Sequence, residues 1–235
     1  MFIDPHVHSK EISKCSVISV EEIIDAKKAA GYDGAVLTNH WQSWYYAPEN
    51  LREFLKEYVA AYERGKKYAE EKGFLLMFGA EVTITDPSYS DWLLYGLTEE
   101  KLLSAPDLTR CNQAQLYEYC RESGVFLVQA HPFRTPIVPL DPKYMDAVEI
   151  NCHPNHGDLA RRGKVEKFAE ENGLTITCGV DYHSREMDIS AGMIIPDSVK
   201  NAGDFACYLR GGVTAVKIGN EITKYEKNVK NSKSL

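Results

Sequence analysis

The sequence predicts a closed α/β barrel, and three observations carry that prediction. Apolar runs of strand length alternate with helical patterns about seven times along residues 2–220. The runs are apolar throughout instead of alternating with polar residues, as parallel strands covered on both faces are. Nearly every run ends in His, Glu or Asp, and the C-terminal ends of strands form the rim where parallel barrels carry chemistry. No dinucleotide-binding glycine pattern and no internal linker interrupts the series. A single domain over residues 1–220 is expected, followed by a Lys- and Asn-rich tail, 221–235, that is partly disordered.

The elements follow in order. Residues 2–5 form a short first strand running into His6 and His8. Residues 20–30 have helical spacing at Ile23, Ile24, Lys27 and Ala30, with Gly31 as the stop. The run 34–38 is a buried second strand ending at Asn39-His40. A loop holding Trp41, Trp44, Tyr45 and Tyr46 follows, then a long helix over 48–72 with Pro48 at its start and Gly73 at its end. These aromatics either pack the loop on that helix or form a lid over an organic leaving group. The third strand, 74–78, runs on to Glu81; the fourth spans 91–96. A helix over 112–123 leads to a fifth strand, 125–130, delivering His131, and a sixth, 146–150, precedes Asn151-Cys152-His153. A helix over 158–172, a seventh strand over 174–178 leading to Asp181 and His183, and a helix over 198–209 complete the pattern.

Bulk properties narrow the function. A formal charge of −7 gives no general footprint for nucleic acid or anionic membrane. No apolar run approaches the ~20 residues that span a bilayer, the N-terminus reads as a strand, not a secretory leader, and cytoplasm is the default. Six cysteines without a C-x-x-C pair indicate neither a zinc ribbon nor a disulfide framework. Cys15, Cys152 and Cys178 alone lie near candidate site positions.

Those positions share one chemistry. In extended backbone, residues two apart point the same way, so His6 and His8 can both reach one cation. His40, His131 and His183, with Glu81 and Asp181, also occupy strand ends. Imidazole plus carboxylate without paired thiolates suits Zn, Mn or Fe, not Ca or Mg. Seven candidate ligands exceed one tetrahedral site, so two or three divalent ions are expected, a carboxylate bridging.

Asp4-Pro5-His6-Val7-His8-Ser9, Thr38-Asn39-His40, Gly79-Ala80-Glu81, Ala130-His131-Pro132 and Gly179-Val180-Asp181-Tyr182-His183-Ser184 resemble the successive motifs of the PHP (polymerase and histidinol phosphatase) family. Val148-Glu149-Ile150-Asn151 matches a further recurrent segment. The resemblance covers roughly residues 2–195 and implies a distorted seven-stranded (β/α)7 TIM-like barrel with a trinuclear cluster and phosphoesterase activity. Carried over, His6, His8, Glu81 and Asp181 hold one ion, Glu81 bridges to a second that His131 also binds, and His40 and His183 serve a third. Three positions depart from the pattern. Asn39 replaces the common Asp, Gly96-Leu97-Thr98 stands where a histidine often follows the fourth strand, and no histidine or acid occupies the loop after the first motif, where Glu11 or Cys15 is nearest. Water, substrate, Asp91 or His153 would fill the remaining coordination.

Phosphate-ester hydrolysis follows from the charge count. Two dications, neutral histidines and two carboxylates leave about +2, a trap for anions, and metal-bound water ionising near pH ~7 provides a nucleophile. Arg134, Arg185 and Lys10 are candidate phosphate contacts on the same rim. His153 and His156 are candidates for a leaving-group acid, substrate contacts or plain surface histidines. The leading expectation is a phosphomonoesterase acting on a small phosphorylated metabolite, histidinol phosphate being one candidate. A phosphodiesterase of nucleotides or short oligonucleotides, with long nucleic acid disfavoured by the acidic chain, and a non-catalytic metal- or ligand-binding protein remain the alternatives. Oligomeric state is left open.

Overall fold

The computed structural model describes residues 1–187 and 190–227. Its elements in chain order are β1 (Phe2–Val7), α1 (Val20–Ala29), β2 (Gly34–Leu37), β3 (His40–Trp41), α2 (Leu51–Lys72), β4 (Leu75–Ile84), β5 (Ser90–Tyr95), α3 (Glu99–Ser104), α4 (Gln113–Glu122), β6 (Phe126–Gln129), β7 (Ala147–Asn151), α5 (Arg162–Asn172), β8 (Thr175–Gly179), β9 (Ala191–Ile194), α6 (Ala202–Arg210), β10 (Val213–Ile218) and β11 (Glu221–Glu226). The helices start and stop where local chemistry says they should. Ser19 and Glu22 form a capping box on α1, Asn112 and Gln115 another on α4. Gly73 and Gly173 close α2 and α5 in left-handed conformation.

The strands make a mixed sheet in the order β11-β10-β9-β1-β2-β4-β5-β6-β7-β8, with β3 paired to β4 off that path. The sheet curls into a nearly closed barrel. Its far edge returns to β1 through a parallel bridge between Val7 and Tyr182. There His8 N–H donates to Tyr182 O at 2.9 Å and Tyr182 N–H to His6 O at 3.1 Å. Ten strands lie on the path among the described residues, more than the seven expected.

Two corrections to the expected architecture bear on the site. The sheet is not parallel throughout: β5 runs antiparallel to both β4 and β6. Only residues 85–89 separate β4 from β5, too few for the crossover helix a parallel neighbour needs. The end of β5 facing the site is therefore its start, at Ser90 and Asp91, while Gly96-Leu97-Thr98 lies at the opposite end. The second correction concerns residues 191–226. On either side of α6 these form the antiparallel strands β9, β10 and β11, which the sequence pattern did not mark as strands. Glu221–Glu226, at the start of the expected tail, pairs with β10; residues 228–235 lie outside the described residues.

The core fills the barrel and the helix–sheet layer without a break. Trp92, Leu93, Leu94 and Tyr95 are fully buried along β5, and α2 buries Phe54, Leu55, Tyr58, Ala61 and Tyr62 against the sheet. Tyr58 O–H donates to the backbone carbonyls of Asn39 and Gly79, pinning the segment just past β2 and the middle of β4 where the site begins. The loop aromatics divide. Trp41 is fully buried and donates to Tyr46 Oη at 2.9 Å, and Tyr46 stacks on Phe54, so these two pack on α2. Trp44 stays exposed and stacks on Tyr89 at 6.5 Å.

Candidate metal centre

The barrel brings all seven strand-end residues together. His6 and His8 project from the end of β1, Glu81 from within β4, His40 from β3 beside it, His131 after β6, and Asp181 and His183 after β8. The two carboxylates sit at the middle. His6 Nε2 is 3.4 Å from both Glu81 Oε1 and Asp181 Oδ1, and His8 Nε2 is 3.3 Å from Glu81 Oε2 and 3.1 Å from Asp181 Oδ1. His40 Nδ1 lies 2.8 Å from Glu81 Oε2, His131 Nε2 3.2 Å from Glu81 Oε1, and His183 Nδ1 3.4 Å from Asp181 Oδ1. Four overlapping triads have their donor atoms within 4.8 Å: His6–His8–Asp181, His6–Glu81–His131, His8–His40–His183 and His153–Asp181–His183.

Hydrogen bonds behind the rings fix which nitrogen faces inward. His6 Nδ1–H donates to Glu149 Oε1 at 2.8 Å, which leaves Nε2 turned to the cluster. Ser13 gives its hydroxyl proton to Asn39 Oδ1 at 2.9 Å and accepts from His40 N–H at 2.9 Å. Its remaining lone pair accepts from His8 Nδ1–H at 3.3 Å, so His8 also turns Nε2 inward. His183 Nδ1–H donates to Asp181 O at 2.6 Å. His6 Nε2, His8 Nε2, His40 Nδ1 and Glu81 Oε2 are buried with no aligned hydrogen-bond partner, although each has a neighbour at 2.8–3.4 Å. Lone pairs facing carboxylate oxygens at that range repel unless a cation lies among them. Donor atoms sharing one tetrahedral ion with bonds of ~2.0–2.1 Å would be roughly 3.3 Å apart. The residues fit a metal.

In the metal-free cluster, protons supply that positive charge. Burial disfavours charge on His6, but the carboxylates of Glu149, Asp181 and Glu81 outweigh it and hold the imidazole well above its usual pKa of 6.5. His40 is raised against its own burial by Glu81, and His183 by Asp181. His8 goes the other way, lowered by burial and by the charges of His40 and His183. Burial would raise Glu81 and Asp181, yet the surrounding imidazoles keep both well below the ordinary carboxylate range. His131 at φ 30° and Asp181 at φ 59° are non-glycine residues in left-handed backbone, a strain of about 1–3 kcal/mol each that the surrounding contacts must hold.

The motifs contain Asp4, Asn39, Glu149 and Gly179, but the sequence alone gave none of them a part in holding this cluster. Glu149 reaches His6 with one oxygen and accepts from His131 N–H and Asn151 Nδ2–H with the other. Its signal was an acid inside an otherwise apolar strand. Asp4 and Lys27 form a fully buried ion pair, and Asp4 Oδ1 also accepts from His6 N–H and Val180 N–H, joining β1 to the end of β8. Losing one partner of such a pair costs about 3–5 kcal/mol. A lysine in the apolar phase of α1 was the clue. Gly179 is required by closeness: a Cβ there would meet His6 Cβ at 2.5 Å and Glu149 Oε1 at 2.9 Å. Asn39, the departure from the common Asp, is a positioning group that also accepts from Ser9 N–H at 2.7 Å.

The cluster forms the floor of a cavity of about 410 Å³ lined by Cys15, His40, Gln42, Tyr89, Asp91, His131, Arg134, His153, His156, Asp181 and His183, with residues 135–137. Asp91 lies on this wall, held by Thr83 Oγ1–H at 2.6 Å. Arg134 is present but committed: it donates to Asp158 twice, to Asp181 at 2.7 Å and to Asn151 at 3.0 Å, which leaves one of its five N–H groups. Arg185 and Lys10 do not reach the cavity. Both are exposed and turn to Glu22, at 2.8 and 3.7 Å, because that acid stands nearer on the first turn of α1. Glu11 likewise is not a wall residue. Cys152 and Cys178 face each other at 3.8 Å between β7 and β8, away from the cavity wall.

No family model and no curated relative matches the sequence. Solved structures do. A two-domain Bacteroides vulgatus protein containing a predicted PHP-like metal-dependent phosphoesterase is 16% identical over 94% of this chain and 66% of its own, with a TM-score of 0.68. The fold is PHP-like. PsfC from Pseudomonas syringae is 16% identical over 96% of this chain and 91% of its own, TM-score 0.66. The lesion-specific endonuclease PfuEndoQ from Pyrococcus furiosus is 13% identical over 89% of this chain and 56% of its own, TM-score 0.59. The chain thus spans just under two thirds of the Bacteroides protein and little more than half of the endonuclease. Among the described residues of this PHP-like chain, no helix is long and apolar enough to cross a membrane.

Proposed function

We propose that the chain is a metal-dependent hydrolase of phosphate esters. The carrying observation is the set of buried, unaligned imidazole and carboxylate donors facing one another at 2.8–3.4 Å. His6, His8, Glu81 and Asp181 would hold one ion, Glu81 and His131 a second, and His40 and His183 a third, from Zn, Mn or Fe. Asp91, on the cavity wall because β5 runs antiparallel, would complete the second position. In this reading the PHP-like barrel proper is β1, β2, β4, β5, β6, β7 and β8, with β9–β11 added at its edge. Ions bound there would supply Lewis acidity toward a phosphoryl group and a water acidified to ionise near neutral pH.

The chain's own groups do the rest. His153 Nδ1 accepts from Asn155 N–H at 3.2 Å, so its proton sits on Nε2. Burial, more than its cationic neighbours, holds its pKa down to about 4. His153 is therefore a neutral hydrogen-bond donor for a phosphoryl or leaving oxygen, not an imidazolium acid. His156, with its ring 4.2 Å away, extends the same wall. Arg134 holds Asp181 in place and offers its last N–H to the cavity.

A cavity of about 410 Å³ suits a small molecule, which favours a phosphomonoester of a metabolite as substrate. A second reading, a phosphodiester of a nucleotide or short oligonucleotide, is supported by the likeness to an endonuclease and by the exposed Trp44–Tyr89 stack at the mouth, which suits a planar base. Metal analysis of gently purified protein and a monoester and diester panel with Zn or Mn test both. Turnover of monoesters is expected. Activity on diesters alone would replace the first reading with the second, and no bound metal with no turnover on metal addition would overturn the enzyme.

A further inference from the structure

We propose that Asn151 is a positioning residue whose amide ties the acid behind His6 to the guanidinium behind Asp181, so that two inner ligands are held as one unit. The inference rests on the metal-dependent reading above and deepens it by naming what keeps those ligands in register.

The placement begins in the strand. Glu149 and Asn151 stand two apart on β7, so both side chains leave the same face. Asn151 lies opposite Gly179 in the β7–β8 ladder, and Cys152 N–H donates to Gly179 O at 2.9 Å. The sheet thus fixes Asn151 beside the strand end that delivers Asp181. Its side chain is buried and fully engaged. Nδ2–H donates to Glu149 Oε2 at 2.9 Å, while Oδ1 accepts from Arg134 Nη2–H at 3.0 Å and from His153 N–H at 2.9 Å. Turning the amide over would set its NH2 against two donors and its oxygen against a carboxylate, so one orientation survives.

The two ends of that amide meet different supports. Glu149 pairs with His6 at 2.8 Å, and Arg134 pairs with Asp181 at 2.7 Å and with Asp158. Those ion pairs have no member in common, yet Asn151 bonds both sides. The path His6–Glu149–Asn151–Arg134–Asp181 then closes on itself, because His6 Nε2 lies 3.4 Å from Asp181 Oδ1. A closed ring of contacts resists displacement of any one member, and its members are energetically coupled. The bond to His153 N–H fastens the same amide to the cavity wall.

Zinc affinity, read by competition with a chelator, tests the coupling without turnover. E149Q, R134A and their double variant are compared in the wild-type and N151A backgrounds, and metal-free melting temperatures check the fold. In the wild-type background the double variant is expected to lose less affinity than the product of the single losses, by about threefold or more. In N151A the two losses should multiply. Asn151→Asp, of the same size, carries the test where N151A does not fold: it keeps both acceptor bonds and loses only the proton shared with Glu149. N151D should therefore bind zinc more weakly, and adding E149Q, which returns a proton between the two groups, should restore part of the loss. Losses that multiply in the wild-type background, a shortfall that persists in N151A, or an N151D that binds zinc like wild type overturns the Asn151 assignment and leaves the hydrolase reading standing. A wild-type chain that takes up no zinc overturns both.

Discussion

The cluster has an inner and an outer side, and they are held in different ways. Inside, His6, His8, Glu81 and Asp181 are buried, and three of them have support behind them: Glu149 on His6, Ser13 on His8, Arg134 on Asp181. Outside, His40 and His183 are half-buried, and their support comes from Ser13 and Ser16 in the loop after β1. Rigid backing orients ligands before an ion arrives. The inner positions should therefore bind tightly and the outer one exchange.

The largest effect is expected at the centre. Glu81→Ala or Asp181→Ala removes an oxygen shared among the inner donors, so activity should fall by on the order of 10³-fold or more, about 4 kcal/mol of transition-state stabilisation. His183→Ala should release only the outer ion. Metal counts after dialysis decide the matter: equal losses in the inner and outer variants would erase the distinction. One layer out, Glu149→Gln keeps the shape but loses the charge behind His6, and metal affinity should weaken about 10–100-fold with the fold intact. Unchanged affinity by competition with a chelator would show that Glu149 is a passive neighbour.

Stability against pH sharpens the comparison in another way. In the metal-free chain His6, His40 and His183 have raised pKa values, so their contribution is fully present below the usual 6.5 and is lost as pH rises through their folded values. His8, His153 and His156 are lowered, so stability rises as pH climbs from their folded values to 6.5 and then stays level. The metal-free melting temperature should peak near 6.5 and fall on the alkaline side, by about 2–4 °C for each kcal/mol lost. With zinc or manganese the same imidazoles are needed neutral, so the alkaline slope should reverse. Parallel slopes with and without metal would separate the histidines from metal binding.

How much of this was legible in the sequence depended on the kind of signal. Strand-end histidines and acids were readable because apolar runs mark the rim and few other histidines compete with them. The direction of β5 was not, since an antiparallel strand buried on both faces has the same composition as a parallel one. That single reversal explains why no histidine follows Tyr95: the site faces Asp91 instead. Glu149 and the Asp4–Lys27 pair were visible as charges in apolar segments, but their partners lie 143 and 23 residues away, and only closure of the barrel names them. β9 and β11 were hidden by composition and not by length, since β2 and β6 are as short as β9: Gly192 interrupts the one, and Glu221, Lys224 and Glu226 make the other read as polar tail.

The smallest effect distinguishes arginines that look alike in sequence. Arg134 and Arg185 each follow a candidate ligand histidine by two or three residues, and both suggested phosphate contacts. In the fold one is claimed by Asp181, Asp158 and Asn151 beneath the cavity, the other by Glu22 at the surface. An exposed pair of the second kind is screened by solvent, contributes little and touches nothing in the site. Arg185→Ala and Lys10→Ala should leave kcat/KM within about twofold. Arg134→Ala frees Asp181 and should weaken metal binding along with turnover, so added metal would recover part of the lost rate. A selective rise in KM for Arg185→Ala, with metal content unchanged, would mean that the loop after β8 swings its guanidinium from Glu22 onto bound phosphate, and the boundary of the site would have to be drawn further out.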